Sequence, residues 1–124
     1  MNGLDLSDEN KRYIVKEFLK NLEHISDKEY QMRVWIRAEG PECDDFDETV
    51  NHFFPDCESL IENNKDFWIT DIQKAILFDF YNQFETFKDG RRPYLPEEFI
   101  DTPEWTNITE MAKEVLKAFN YQKK

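Results

Sequence analysis

AEGPECDDFDETVNHFFPDCESLIENN, residues 38–64, decides how the rest of the chain reads. It carries nine acids, Glu39, Glu42, Asp44, Asp45, Asp47, Glu48, Asp56, Glu58 and Glu62, and no Lys or Arg. Its charge of −9 stands against −11 for all 124 residues, so almost the whole excess sits in about a fifth of the chain. The same stretch holds Phe46, Val50, Phe53, Phe54, Cys57, Leu60 and Ile61, in steps of three and four that mark one face of a helix. A disordered acidic tail lacks such aromatics and such a period. The stretch therefore reads as helix, with one face buried and a strongly negative face in water. A surface of that kind attracts cations, metal ions or a basic macromolecule.

Working outward, Pro55 disfavours helical geometry at Phe54 and predicts a kink or a fresh start. The acidic helix then runs from about Cys43 to Phe53, and a second piece ends near Asn63-Asn64. Upstream, Ser26-Asp27-Lys28-Glu29 has the S-x-x-E form of a capping box, with Ile25 and Tyr30 at the staple positions. It predicts a helix to about Ala38, with Gly40 and Pro41 as stop signals. Inside it, Tyr30, Met32, Val34 and Ile36 alternate with Gln31, Arg33, Trp35 and Arg37, which is a strand pattern. A lone strand has nothing to pair with here, and both ends carry helix signals, so helix is the expectation. Ser7, followed by Asp8 and Glu9, caps a first helix whose stripe is Ile14, Phe18, Leu22 and Ile25, flanked by Val15 and Leu19. Lys11, Arg12, Lys16 and Lys20 make its outer face basic and the molecule bipolar.

Downstream, Thr70-Asp71-Ile72-Gln73 is a capping box in its Gln form. Ile76, Leu77, Phe80, Tyr81, Phe84 and Phe87 follow as the widest apolar face, ended by Asp89-Gly90, and this helix is expected at the centre of the bundle. Arg91 to Pro96 reads as an extended connector, and Pro96 to Phe99 as a single turn. Thr102-Pro103-Glu104 opens a last helix with the stripe Trp105, Ile108, Ala112, Val115 and Phe119, and Lys117, Lys123 and Lys124 suit its negative end.

Bulk properties bound the rest. At 124 residues and 40% hydrophobic, with 11 Phe, 5 Tyr and 3 Trp, the chain is one domain with ample core material. Only 3 Gly and 5 Pro favour long helices over a turn-rich β-sandwich. The expected fold is thus all-α, a single-domain bundle of four to five helices over residues 1–124. A pI of about 4.6 argues against nucleic acid or an anionic membrane as partner, because phosphate contacts need a basic surface. Met1 to Leu6 has neither the basic nor the apolar part of a signal peptide, and no run spans a bilayer, so a cytoplasmic product is expected. Cys43 and Cys57 read as reduced thiols.

No nucleophile–base pair is evident: Cys43, His52 and Cys57 point in different directions on a helix and no oxyanion turn accompanies them, while His24 sits at a helix end. Metal chemistry has a pattern behind it. Asp44/Glu48 and Glu58/Glu62 are i, i+4 pairs, and if their two helical pieces packed side by side the four carboxylates could hold Mg²⁺ or Mn²⁺ for a nucleotide phosphohydrolase. The chain lacks the E-x-x-H signature of di-iron bundles and any Gly-rich phosphate motif. No cofactor is called for otherwise. Concentrating acids raises local potential and steers a positive partner onto one surface. Phe46 and Phe53 read as core, while Trp35 and Phe54 are the aromatic residues that could anchor a partner at the acidic rim.

The segment Arg33-Val-Trp-Ile-Arg-Ala-Glu-Gly-Pro-Glu-Cys-Asp-Asp-Phe-Asp-Glu48, in a small, acidic, aromatic-rich helical chain, resembles bacterial immunity proteins of polymorphic-toxin and contact-dependent inhibition systems. That resemblance implies a tight complex with a basic toxin domain, often a nuclease. On the charge and aromatic argument the partner-binding residues are Glu39, Glu42, Asp44, Asp45, Asp47, Glu48, Asp56 and Glu58, with Trp35 or Phe54 as anchor. The alternatives are the metal-dependent phosphohydrolase on Asp44, Glu48, Glu58 and Glu62, and an adaptor for a basic peptide.

Overall fold

The computed structural model of the protein describes residues 7–42, 44–90 and 95–121. The readings given above for Met1 to Leu6, Cys43, Arg91 to Tyr94, Lys123 and Lys124 lie outside these residues. The fold is all-α, with no strand among the described residues. Its elements are α1 (Asp8–Ser26), α2 (Lys28–Tyr30, continued by a π-helix over Gln31–Ile36), α3 (Phe46–Glu62), a 3₁₀ turn (Asn64–Phe67), α4 (Asp71–Asp89), α5 (Pro96–Phe99) and α6 (Pro103–Ala118).

Local hydrogen bonding starts most of these helices where the cap residues stand. Ser7 Oγ accepts from Asn10 N at 3.1 Å, and Thr102 Oγ1 accepts from Trp105 N at 3.2 Å with Pro103 next to it. Thr70 and Gln73 form the reciprocal capping box, at 3.1 and 2.9 Å. The cap of α2 is Asp27 and not Ser26: Asp27 Oδ1 accepts from Tyr30 N, whereas Ser26 Oγ donates to Glu23 O. An Asp one residue later offers a charged acceptor to the same orphan donors, and it wins.

The segment with the strand-like alternation is helical, but wound wider than an α-helix. Arg37 N bonds back five residues to Met32 O at 3.0 Å, the π pattern. The buried set is therefore Tyr30, Gln31, Val34 and Trp35, and Met32 of the alternating series stays 39% exposed. The helix stops through Ala38, which takes a left-handed φ of 53° while Glu39 N reaches back to Arg33 O.

Acidic α3 is one continuous helix that begins at Phe46, capped by Asp45, and passes through Pro55. Pro55 breaks nothing because its ring lies on the exposed side while Phe53, Phe54, Cys57 and Leu60 around it are buried. Packing of both halves outweighs the lost backbone bond. Replacing Pro55 by alanine is accordingly expected to stabilise the protein by about 1 kcal/mol, with the regained helix bond exceeding the entropy returned to the unfolded chain. A fall in melting temperature would contradict this.

Four long helices close a ring in which α1 packs on α3, α3 on α4, α4 on α6 and α6 on α1. So α4, expected at the centre, is one of four walls. The centre is a cluster of rings. Trp105 lies 5.7 Å from Phe46, 5.2 Å from Phe87, 5.0 Å from Phe99 and 6.1 Å from Trp35, centroid to centroid. Edge-on and tilted pairs of this kind add to what burial alone contributes. No helix among the described residues is long and apolar enough to cross a membrane.

Candidate partner-binding face

The buried stripe of α3 fixes which of its acids face water. With Phe46, Val50, Phe53, Cys57 and Leu60 inward, Asp47, Glu48, Asp56, Glu58 and Glu62 are exposed. At 100° per residue Asp47, Glu58 and Glu62 fall within about 60° of arc, on the side where α3 meets α4. Among the described residues no Lys or Arg lies within ion-pair distance of these five; Glu48 meets only His52, at 3.3 Å. Burial raises the Asp56 carboxyl above its usual range, and nearby His52 opposes that shift.

The face contains an aromatic pair. Tyr81 of α4 donates its hydroxyl to Glu58 Oε2 at 2.7 Å, which raises the Tyr81 phenol, with its partial burial and then the charges of Glu58 and Glu85 adding to the effect. Phe78, one turn before it, stacks on Tyr81 with centroids 6.5 Å apart and interplanar angle 9°. The Phe78 ring is 51% exposed. An apolar ring beside a row of unneutralised carboxylates is the geometry of an interface anchor with an acidic rim. No family model, curated protein or solved structure matches the chain.

The sequence-predicted residues divide sharply. Asp47, Glu48, Asp56 and Glu58 stand on the exposed face of α3. Glu39 and Glu42 are exposed but already engaged: Arg33 forks onto both oxygens of Glu42 at 2.9 Å and donates to Glu39 O, and Arg37 Nε pairs with Glu39 at 2.8 Å. The Arg33 fork holds the Glu42 carboxyl at about 2. Gly40 permits that crossing, since a Cβ there would run into the Arg33 guanidinium, and its φ of 95° suits glycine alone. Asp45 caps α3, accepting from Glu48 N at 2.8 Å.

Asp44 is not a steering residue. It is half-buried and accepts from Tyr30 Oη at 2.9 Å, Trp35 Nε1 at 3.1 Å and Thr49 Oγ1 at 3.3 Å. His24, stacked on Tyr30 at 3.8 Å, brings its Nδ1 within 3.9 Å of Asp44. Burial lowers the His24 pKa, with Asp44 pulling the other way, and burial and Asp44 together raise the Tyr30 phenol. Trp35 and Phe54 are each 8% exposed and belong to the core, so neither is the anchor.

The four carboxylates of the metal reading do not converge. α3 is continuous, so Glu48 and Glu58 are roughly 15 Å apart along its axis, Asp44 is turned to Tyr30 and Trp35, and Glu58 is held by Tyr81. Among the described residues no group of three or more metal-binding side chains comes together. Cys57 is fully buried, which pushes its thiol up and away from thiolate chemistry, with Glu58 and Asp56 adding to the effect. What the sequence did not flag is Phe78. The signal was present: it is the one phenylalanine of α4 that falls outside the apolar stripe.

Proposed function

We infer that the protein binds a basic protein domain on the α3–α4 face and acts as a stoichiometric inhibitor, an immunity protein for a basic toxin domain such as a nuclease. The observation that carries this reading is the exposed Phe78 ring, stacked on a half-buried Tyr81 that Glu58 of the acidic α3 holds. The acids raise the rate of encounter with a positive surface and fix its orientation. Phe78 then enters an apolar recess of the partner and supplies the desolvated contact that sets the lifetime of the complex. Inhibition follows from occupying or covering the cationic cleft that a nuclease needs for its substrate.

The test is affinity capture in the native host, with the wild-type chain and a Phe78→Ala variant as baits. One dominant basic partner is expected, retained at low salt and weakened at roughly 0.5 M salt, where surface charges are screened. Phe78→Ala is expected to weaken it by about tenfold or more. A neutral or acidic partner, or one indifferent to Phe78, would overturn the reading. A toxin partner predicts further that the gene immediately upstream encodes a long secreted protein with a variable C-terminal domain.

A further inference from the structure

The opposite side of the molecule gathers basic side chains. Two cavities lie in series along the seam where α1 runs beside α6, and they share Tyr121. The first, about 340 Å³, is walled by Leu19, Phe67, Trp68 and Phe119 and edged by Arg12 and Lys16. The second, about 540 Å³, is edged by Lys28, Lys113 and Lys117 around Leu116, with Glu23 and Asp27 as its two acids. Five cations against two acids thus line one groove on a chain of net charge −11.

Trp68 marks this groove as more than a gap between helices. It holds a left-handed backbone, φ 57°, a conformation a bulky side chain rarely adopts, and its ring is still 51% exposed. The Arg12 guanidinium sits over that ring, 5.0 Å from its centroid. The facing wall also ends on a left-handed residue, Asn120 at φ 55°. In the second cavity Glu23 Oε1 accepts from Tyr121 Oη, while Glu23 Oε2 is buried and takes no hydrogen bond from any described residue. A buried acceptor of that kind calls for a hydrogen-bond donor, which a peptide N–H can supply.

We propose that the α1–α6 groove binds an extended acidic peptide segment carrying one large apolar residue. The apolar side chain packs on Trp68, Leu19 and Phe119 beside Arg12. The carboxylates meet the lysines of the second cavity, whose present partners, Asp101 for Lys28, Glu110 for Lys113 and Glu114 for Lys117, are all exposed and easily exchanged. Backbone N–H groups of the segment face Glu23. From Arg12 to Ser26 α1 runs roughly 21 Å, the length of about six extended residues. The site is separate from the acidic face, so acidic and basic partners have different places to dock.

The test is selection of a displayed library of random nine-residue peptides against the full chain, followed by titration of the enriched peptides with Trp68 emission as the readout. Enriched sequences are expected to be acidic with one aromatic or leucine residue, and to bind more tightly than about 100 μM. Arg12→Glu with Lys16→Glu, and separately Lys113→Glu with Lys117→Glu, are each expected to weaken binding at least about tenfold. All four side chains are exposed, and the second pair keeps the test open should the first disturb α1. No enrichment, enrichment of basic peptides alone, or unchanged affinity in either charge-reversed variant would overturn the proposal.

Discussion

Replacing Gln31 by leucine is expected to destabilise the protein by about 3 kcal/mol, lowering the melting temperature by roughly 10 °C. Gln31 is completely buried and ties three elements together. Its Nε2 donates to His24 O at 2.9 Å and Ile25 O at 2.8 Å, carbonyls of the last turn of α1, where His24 O also accepts from the capping Asp27 N at 3.3 Å. Its Oε1 accepts from Trp105 Nε1 at 2.9 Å, in the aromatic centre of the fold. Leucine has similar volume, so the loss comes from stranded polar groups and not from a cavity. Introducing Trp105→Phe into the leucine variant removes one stranded donor and is expected to cost less there than in the wild type. Thermal and denaturant unfolding followed by circular dichroism would measure both. A loss under about 0.5 kcal/mol would mean that these groups find other partners.

Asp44→Ala is expected to cost about 2–3 kcal/mol, because it strands three donors at once, the Tyr30 and Thr49 hydroxyls and the Trp35 indole N–H. Asp44→Asn keeps one acceptor oxygen and should lie between it and the wild type. The Tyr30 phenol, raised by burial and by Asp44, should titrate at lower pH in the Asn variant, measurable by ultraviolet absorbance. Neither change should alter the salt dependence of partner association, because Asp44 faces inward. Asp47→Asn and Glu58→Gln should do the reverse, slowing association with little effect on stability.

Three helix starts were readable from sequence because their bonds close within three residues; Asp27 to Tyr30 closes over the same span, but Ser26 beside it offered a competing cap. Ser7 to Asn10, Thr70 to Gln73 and Thr102 to Trp105 are set by neighbours along the chain. The apolar periods of α1, α3, α4 and α6 likewise gave the all-α class, since each needs a face to bury. Where distant residues compete with local preference, sequence reading failed. Pro55 stays helical because rings from α4 pack against Phe53 and Phe54 on its inner side. The π-helix winds so that Gln31 reaches Trp105, 74 residues further on. The acidic stretch announced its charge, but which acids remain free depends on where Arg33, Arg37, Tyr30 and Trp35 come to rest. Four of the eight expected steering acids turn out to be pairing, capping or holding the core, and an unexpected ring, Phe78, stands exposed on α4 against the tyrosine that Glu58 holds.

The most direct test of the acidic α3–α4 face as the docking surface is the association rate of the captured basic partner as a function of ionic strength. It should be compared between the wild type and a variant carrying Asp47→Asn, Glu58→Gln and Glu62→Gln, the three acids on the α4 side of α3. The wild-type rate should fall steeply with salt, and the variant should associate about tenfold or more slowly at low salt with a much flatter dependence. Equal rates and equal salt dependence in the two proteins would place the partner on another surface.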